Sequence, residues 1–336
     1  MITIADIEIR ERCRGVIGWR AELHEQLRLL GRWTEGRFVA DLGPGDEWVA
    51  GQRLLDPEFL AAMLDRAKVT TLLARQDTSV EDGVDLRAAA SRITRQLSGF
   101  LTYVAGTALA RGVGLDLSLA NCKVVVRYNL PFAVALDMQD QAIVRCEERE
   151  TEWIGDGRVV HALGELREIV WRSLYAGALA PLFASAAQLV KTAPSLHWSN
   201  AAEAAGILSD AAEEYLGVVE ARPFVADRHA LLERDTLPGV PGPNPLRGLL
   251  TWIPGDLPEV PSGVMTRRVC CLSFYMPDRL GRLCQDCEFL PLDERIALIR
   301  ERHGLSQTAP RGPAEEQAKR RGMEKLAARA ARQVRR

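Results

Sequence analysis

Four of the chain's seven cysteines lie within eighteen residues near the C-terminal end. Cys270 and Cys271 are adjacent, and a spacer of twelve residues separates them from Cys284 and Cys287. Thiolates are strong ligands for zinc and for iron–sulfur clusters. The spacing therefore predicts that these four cysteines, the four-thiol site, act together.

Four thiols at this spacing are compatible with disulfides, a structural zinc site or an iron–sulfur cluster. Disulfides persist in oxidising compartments, and residues 1–10 show no basic segment followed by an apolar one that would indicate secretion. Structural zinc suits the Cys284-x-x-Cys287 pair. Adjacent residues of an extended chain point in opposite directions, so zinc binding by both Cys270 and Cys271 requires a bent backbone. A 2Fe-2S cluster has two separated metal ions and accepts diverging ligands more easily.

The residues around the cysteines suit a cluster with a net negative charge. Arg267 and Arg268 lie just before Cys270, separated from it by Val269, and their positive charges would favour the reduced, more negative state. The same two arginines are equally compatible with a solvated surface. Five large apolar side chains are candidates for a shell that excludes water: Phe274, Tyr275, Met276, Leu283 and Phe289.

The vicinal pair, followed by a spacer and Cys-x-x-Cys, resembles the C-terminal motif of the FhuF-like ferric siderophore reductases. Arg267-Arg268 and the aromatic Phe274-Tyr275 inside the spacer are similar too, and residues 112–119 and 196–202 are weakly so. The resemblance spans about residues 85–290. This chain departs from the better-known members in its longer spacer and in the 49 residues that follow Cys287.

The resemblance implies that Cys270, Cys271, Cys284 and Cys287 all bind a 2Fe-2S cluster. It also implies a cytoplasmic enzyme that reduces a ferric siderophore by one electron and releases Fe(II). Plant-type clusters with four cysteine ligands have potentials near about −400 mV, which is low enough for that reaction. No catalytic residue is predicted beyond the cluster ligands.

The electrons would come from an external donor protein. The sequence contains no Gly-x-Gly-x-x-Gly after a strand and no Gly-Lys-Ser/Thr phosphate loop, so it indicates no nucleotide cofactor. Two other functions stay open. One is a siderophore-binding module that zinc stabilises without redox activity, and the other is a ferredoxin-like electron carrier.

The composition is typical of a soluble globular protein, with 47% apolar and 26% charged residues and a net charge of −2. No run of about 18 apolar residues indicates a membrane span. Residues 311–336 carry nine basic and three acidic side chains. This basic tail is expected to be a solubilising terminus or a docking segment for an acidic redox partner, and nucleic acid is not an expected partner.

The periodicity predicts an α+β fold, with a mainly helical body, a small antiparallel sheet and a small C-terminal iron–sulfur segment. The predicted units are a siderophore-reductase-like body over residues 1–255, a 2Fe-2S segment over 256–305, and a tail over 306–336 that is disordered or a single helix. Seven prolines between residues 235 and 263 predict a linker or wrapping loop before the cysteines.

Several predicted helices and strands position the motifs. Asp56 and Ser199 are predicted helix caps. Residues 85–110 show helical spacing, and residues 164–190 predict one or two helices interrupted near Pro181. Residues 122–136 predict two strands around a turn.

The remaining candidate residues have simpler interpretations. Cys13, Cys122 and Cys146 are separated from one another and are predicted to be buried free thiols. His197 lies beside Trp198, and a packed or surface role is favoured over a ligand-binding one.

Overall fold

The computed structural model describes residues 46–73, 85–127, 130–136, 143–148, 158–253, 263–276, 283–284 and 286–302, and the structural statements below concern these residues. They form a mainly helical body with small sheets, so the predicted α+β class is confirmed. The predicted boundary at residue 255 falls in a stretch outside the described residues and stays a prediction. The basic tail and Cys13 also lie outside them.

The α-helices follow the predicted periodicity closely. In chain order they are α1 Pro57–Leu73, α2 Leu86–Ala110, α3 Leu163–Trp171, α4 Ala180–Val190, α5 Pro194–Leu216, α6 Val218–Leu232 and α7 Leu292–Arg302. Asp56 caps α1, because its carboxylate accepts the Glu58 N–H at 2.9 Å. The prediction that Ser199 caps a helix is wrong, because α5 begins five residues earlier, where Pro194 fits the first helical position.

The strands form three small sheets. They are β1 Asp46–Ala50, β2 Val113–Leu115, β3 Cys122–Arg127, β4 Leu130–Leu136, β5 Ile143–Cys146, β6 Arg158–Val160, β7 Leu250–Ile253 and β8 Val264–Arg267. Strand order is β1-β3-β4 in one sheet and β2-β5-β6 in another, while β7 pairs with β8. All pairings are antiparallel except β5 with β6. The two strands predicted around a turn in residues 122–136 are confirmed as β3 and β4.

The helical stretch from Leu163 to Val190 is continuous rather than interrupted. A π-helical segment, Arg172–Leu179, joins α3 to α4 immediately before Pro181. Proline lacks a backbone N–H, and a local change in helical pitch accommodates that loss without ending the helix. This stretch is long and apolar enough to cross a membrane. Tyr175 and Phe183 in it are buried in the protein core, and 39% of its most apolar window of 18 residues is buried in the protein.

The loop at residues 116–121, within the stretch that weakly resembles the reductase family, contacts the π-helical segment. The Asp116 carboxylate accepts hydrogen bonds from the Ser118 N–H and the Ser173 hydroxyl, each at 2.9 Å. The Leu119 N–H donates to the Gly177 carbonyl at 3.1 Å. These bonds give Asp116 a structural role in fixing the loop to the helix.

Helix α5 carries the cysteine region on one side and the core on the other. Much of its buried surface is alanine, which allows α2 and the β7–β8 hairpin to approach closely. A Cβ atom at Gly206 would collide with the Met265 sulfur of β8 and lie 3.1 Å from the Leu250 side chain of β7. The hairpin therefore lies directly on α5, and its second strand leads into the cysteines.

Candidate metal centre

Strand β8 delivers Cys270 and Cys271 into a sharp bend. Leu272 adopts a left-handed conformation (φ 61°), which is uncommon for a residue other than glycine. The bend places the Leu272 N–H 3.4 Å from the Cys270 sulfur, to which it donates a hydrogen bond. Backbone strain of this kind concentrates at functional sites. It also provides the bent backbone that two adjacent cysteines need to reach a shared group.

Cys284 and Cys287 lie in a turn that α7 holds in place. The Cys287 N–H donates to the Cys284 carbonyl at 3.0 Å. The buried Arg295 of α7 donates to the carbonyls of Cys287 at 2.7 Å and Leu290 at 2.8 Å. Arg295 therefore fixes the backbone of the Cys-x-x-Cys turn, a role that the sequence did not indicate.

The structure brings thiols from both cysteine pairs together. The sulfurs of Cys271 and Cys284 are 3.4 Å apart. Two thiolates bound at about 2.3 Å to one tetrahedral metal ion would be separated by about 3.8 Å, so this pair needs only a small adjustment to share an ion. Cys271, Cys284 and Cys287 are buried in one apolar cluster with Leu283 and Leu290.

The four cysteines differ in their exposure to solvent. Cys270 is half-buried, and the other three thiols are at most 7% exposed. None of the four cysteines forms a disulfide. Among the described residues no group of three or more histidine, cysteine or acidic side chains surrounds a single ion position.

Two arginines lie close to the thiols: Arg267 is buried, whereas the Arg95 side chain is 29% exposed. Arg267 is 1% exposed, and its guanidinium donates to Glu203 at 3.1 Å and to the Asn200 side-chain oxygen at 2.7 Å. Arg95 of α2 forms an ion pair with the other oxygen of Glu203. Arg95 and Arg267, called the guanidinium pair below, thus share one carboxylate. Asp286 completes the network with an oxygen 3.5 Å from Arg267 Nε.

The electrostatics of the thiols are asymmetric. A hydrogen bond from Cys284 and the positive charges of the guanidinium pair lower the pKa of Cys271, against the effect of its burial. The pKa of Cys284 is raised, first by that hydrogen bond to Cys271 and then by burial. Burial also raises the pKa of Cys270 to about 12 and that of Cys287 to about 11. Binding a metal to these thiols must therefore release protons.

Further hydrogen bonds attach the cysteine backbone to the helical body. The Ser91 hydroxyl of α2 donates to the Cys271 carbonyl at 2.7 Å, and the Ser199 hydroxyl of α5 donates to the Val269 carbonyl at 3.4 Å. The Asn200 amide donates to the Ser91 carbonyl at 3.0 Å. The serine predicted as a helix cap is thus part of the support for the metal site.

The predicted surroundings of the cysteines are partly correct. Arg267 is buried beside them, whereas Arg268 is exposed. Leu283 packs in the cysteine cluster, and Met276 is buried in a neighbouring one. Phe289 was expected in the apolar shell but is 48% exposed. It follows Cys287 in a tight turn that directs it away from the cluster.

The sequence analysis missed Arg95 and Glu203. Both lie on helices whose buried faces are otherwise apolar or small, and Glu203 interrupts the alanine-rich stretch Ala201–Ala205. The signal available in the sequence was a charged residue, Glu203, at a position that the helical spacing places in the core. No sequence pattern indicates that two helices distant along the chain place these charges near the cysteines.

The isolated cysteines and His197 have structural roles. Cys122 and Cys146 are buried free thiols, as predicted. His197 is buried between the hydroxyls of Thr94 and Thr192, at 2.9 and 2.8 Å from its two ring nitrogens. Burial lowers the pKa of His197 to about 4, so the ring is neutral near pH 7. Its packed role is therefore the correct interpretation.

Comparison with known proteins adds little. No protein-family model matches the chain, and no curated protein matches it. Among solved structures it is similar to the aerobactin synthetase IucC from a hypervirulent pathotype of Klebsiella pneumoniae, at 14% sequence identity and a TM-score of 0.40. The match covers 61% of this chain and 36% of that one. At this distance the likeness assigns no family and no activity.

Proposed function

We propose that Cys270, Cys271, Cys284 and Cys287 bind a 2Fe-2S cluster and that the protein reduces ferric siderophores by one electron in the cytoplasm. The observation that carries the proposal is the arrangement of four cysteines that form no disulfide, with the Cys271 and Cys284 sulfurs 3.4 Å apart, beside the guanidinium pair. Cysteine thiolates are the usual ligands of such clusters, and a positive environment favours their reduced state. The ferric siderophore as substrate comes from the resemblance of the cysteine motif.

The chain's own residues would prepare the site for reversible electron transfer. Leu283 and Leu290 exclude water from the buried thiols. The guanidinium pair opposes the negative charge that reduction adds. The Leu272 N–H hydrogen bond to the Cys270 sulfur acts in the same direction, because hydrogen bonds to ligand sulfurs raise the potential. Cys270, the most exposed ligand, provides the short path between the site and a bound partner.

The electron balance requires two partners. A 2Fe-2S cluster, when bound, supplies one reversible electron. That electron comes from an external donor protein and goes to the Fe(III) of the chelate, which becomes Fe(II). Hard oxygen donors hold Fe(II) far more weakly than Fe(III), so the iron is released. No group on the siderophore itself is oxidised or reduced.

The first test is the composition and colour of the purified protein. We expect a red-brown protein with about two irons and two sulfides per chain, as the cluster formula requires. A colourless protein with stoichiometric zinc would instead support a zinc-stabilised binding module. The reaction is tested by reoxidising the reduced protein with a ferric hydroxamate while a ferrous-specific dye traps Fe(II).

The control for that reaction is a small 2Fe-2S ferredoxin of similar potential. We expect this protein to transfer its electron to the chelate at least tenfold faster than the control. Equal rates would contradict a dedicated reductase and favour a ferredoxin-like carrier. Any dye response in a variant that lacks Cys271 and Cys284 measures the background reaction.

A further inference from the structure

We propose that Cys271 and Cys284 form a reversible disulfide when no metal is bound, and that this disulfide closes the four-thiol site to metal until a thiol reductant opens it. The same two sulfurs thus serve either as metal ligands or as a cross-link. This inference goes beyond the proposed function, because it applies equally to a zinc site and to an iron–sulfur site and requires no siderophore.

The two sulfurs are in contact across the site. They are 3.4 Å apart, and both residues are 6% exposed. A disulfide bond is about 2.0 Å long, so bond formation requires each sulfur to move by about 0.7 Å. Cys271 follows strand β8, and Cys284 lies in the turn before α7. The bond would therefore join two separate segments of the cysteine region.

The other two thiols are each held by their own turn. The Cys270 sulfur accepts a hydrogen bond from the Leu272 N–H at 3.4 Å, and the Cys287 sulfur accepts one from the Phe289 N–H. Adjacent cysteines are also poor disulfide partners, because their Cα atoms are about 3.8 Å apart and disulfides span about 4.4–6.8 Å. These constraints favour a bond between the two cysteine pairs over one within either pair.

Hydrogen bonds from the helices fix the backbone on both sides of the contact. The Ser91 hydroxyl of α2 donates to the Cys271 carbonyl at 2.7 Å. The Cys284 carbonyl accepts a bond from the Cys287 N–H at 3.0 Å, and Arg295 of α7 donates to the Cys287 carbonyl at 2.7 Å. The contact between the sulfurs therefore follows from bonds that the chain makes with itself.

Hydrogen peroxide is an oxidant small enough for a buried pair of thiols. One thiol attacks the O–O bond and becomes a sulfenic acid, and its proton leaves with the departing oxygen as water. The second thiol attacks the sulfenic sulfur, the S–S bond forms, and a second water leaves. The two thiols thus lose two electrons and two protons to one peroxide. A dithiol reductant reverses the change by thiol–disulfide exchange.

The disulfide has two consequences for the site. It removes two of the four sulfurs, so oxidation and metal binding exclude each other. It also provides the cross-link that a segment with so small an apolar cluster requires. Loading of the site with metal therefore depends on a reductant.

Peptide mapping of the wild-type full-length chain tests the bond directly. Metal is removed with a chelator under reducing conditions, the reductant is removed, a stoichiometric amount of peroxide is added, and the remaining thiols are blocked with N-ethylmaleimide. Proteolysis before Asp286 separates Cys284 from Cys287. We expect a cross-linked peptide that contains Cys284, together with a blocked Cys287. A bond between Cys284 and Cys287, or oxidation to sulfinic acids without any cross-link, would overturn the proposal.

A matched pair of variants identifies the second sulfur. Cys270→Ser should keep the cross-link to Cys284, whereas Cys271→Ser should lose it. A cross-link that persists in Cys271→Ser, or one that disappears in Cys270→Ser, would contradict the assignment of Cys271.

Metal uptake by the full-length chain tests the consequence, with Zn²⁺ alone as the probe. We expect the reduced chain to bind Zn²⁺ at least about tenfold more tightly than the oxidised chain, since oxidation removes two of the four thiolates. A phosphine reductant should restore the binding. Equal affinities of the reduced and oxidised chains would show that the disulfide does not close the site.

Discussion

Glu203 and Arg267 are each 1% exposed and pair with each other inside the protein. Removing two charges from water is costly, and an apolar pair of similar size is often at least as stable. Burial raises the pKa of Glu203 to about 7, even though Arg267 and Arg95 oppose the shift. Stability alone does not explain such a network, whereas support of a charged group beside Cys271 does.

The four cysteines should be individually necessary for the cluster. Replacing any of Cys270, Cys271, Cys284 or Cys287 by serine should strongly reduce the visible absorbance and the iron content, because the thiol set contains no spare ligand. The matched controls are Cys122→Ser and Cys146→Ser, which should keep the wild-type spectrum. A full-intensity spectrum in Cys271→Ser would remove that residue from the ligand set.

His197 should make the folded state sensitive to acid. Its folded pKa, about 4, lies below its ordinary value of 6.5, so the folded state binds fewer protons than the unfolded state between these values. Stability therefore falls as pH decreases from about 6.5 to 4, by about 3 kcal/mol in all.

The comparison for this prediction is His197→Gln, which retains polar groups beside Thr94 and Thr192 but cannot titrate. Chemical denaturation from pH 7 to pH 4 should give a clearly smaller loss of stability in the variant. Identical losses in both proteins would show that other groups cause the acid sensitivity.

At the scale of elements, close packing of α5 against the β7–β8 hairpin positions the metal site. Gly206→Ala should displace the hairpin, because its Cβ would meet side chains of both strands. We expect a loss of about 1–3 kcal/mol from overpacking, partly offset by the better helix propensity of alanine. The lifetime of the cluster should shorten as well.

Gly164→Ala in α3 is the matched control, since no neighbouring atom lies within 4 Å of its added Cβ. It should be neutral or more stable by up to about 1 kcal/mol. Thermal unfolding and the rate of absorbance loss distinguish the two variants. An unchanged cluster lifetime in Gly206→Ala would show that the hairpin position is not critical.

The sequence predicted the elements with local signals. Asp56 before Pro57 indicated the start of α1, and the apolar spacing in residues 85–110 indicated α2. The β7–β8 hairpin gave no comparable signal, because seven prolines surround it and its short strands depend on packing against α5. The network at Arg267 depends on residues 64 to 68 positions away along the chain. Such contacts follow from the tertiary fold and leave no spacing pattern.

For the whole molecule, the cysteine region depends on the helical body. Among its described residues, its own apolar cluster has five buried members, three of them cysteines. A segment of this size cannot bury enough apolar surface to fold alone without a metal or other cross-link. The hydrogen bonds from Ser91 and Ser199, together with the guanidinium pair, provide the attachment. Loss of the metal should therefore loosen the cysteine region more than the helices.

The basic tail, residues 311–336, should be dispensable for the fold and the cluster. Its only large apolar residues are Met323, Leu326 and Val334, too few to anchor it to a core. A truncation after Pro310 should leave the melting temperature and the cluster absorbance unchanged. If the tail binds an acidic electron donor, truncation should slow electron transfer at low salt and have little effect at high salt, where charges are screened. Loss of the cluster on truncation would show instead that the tail packs against the body.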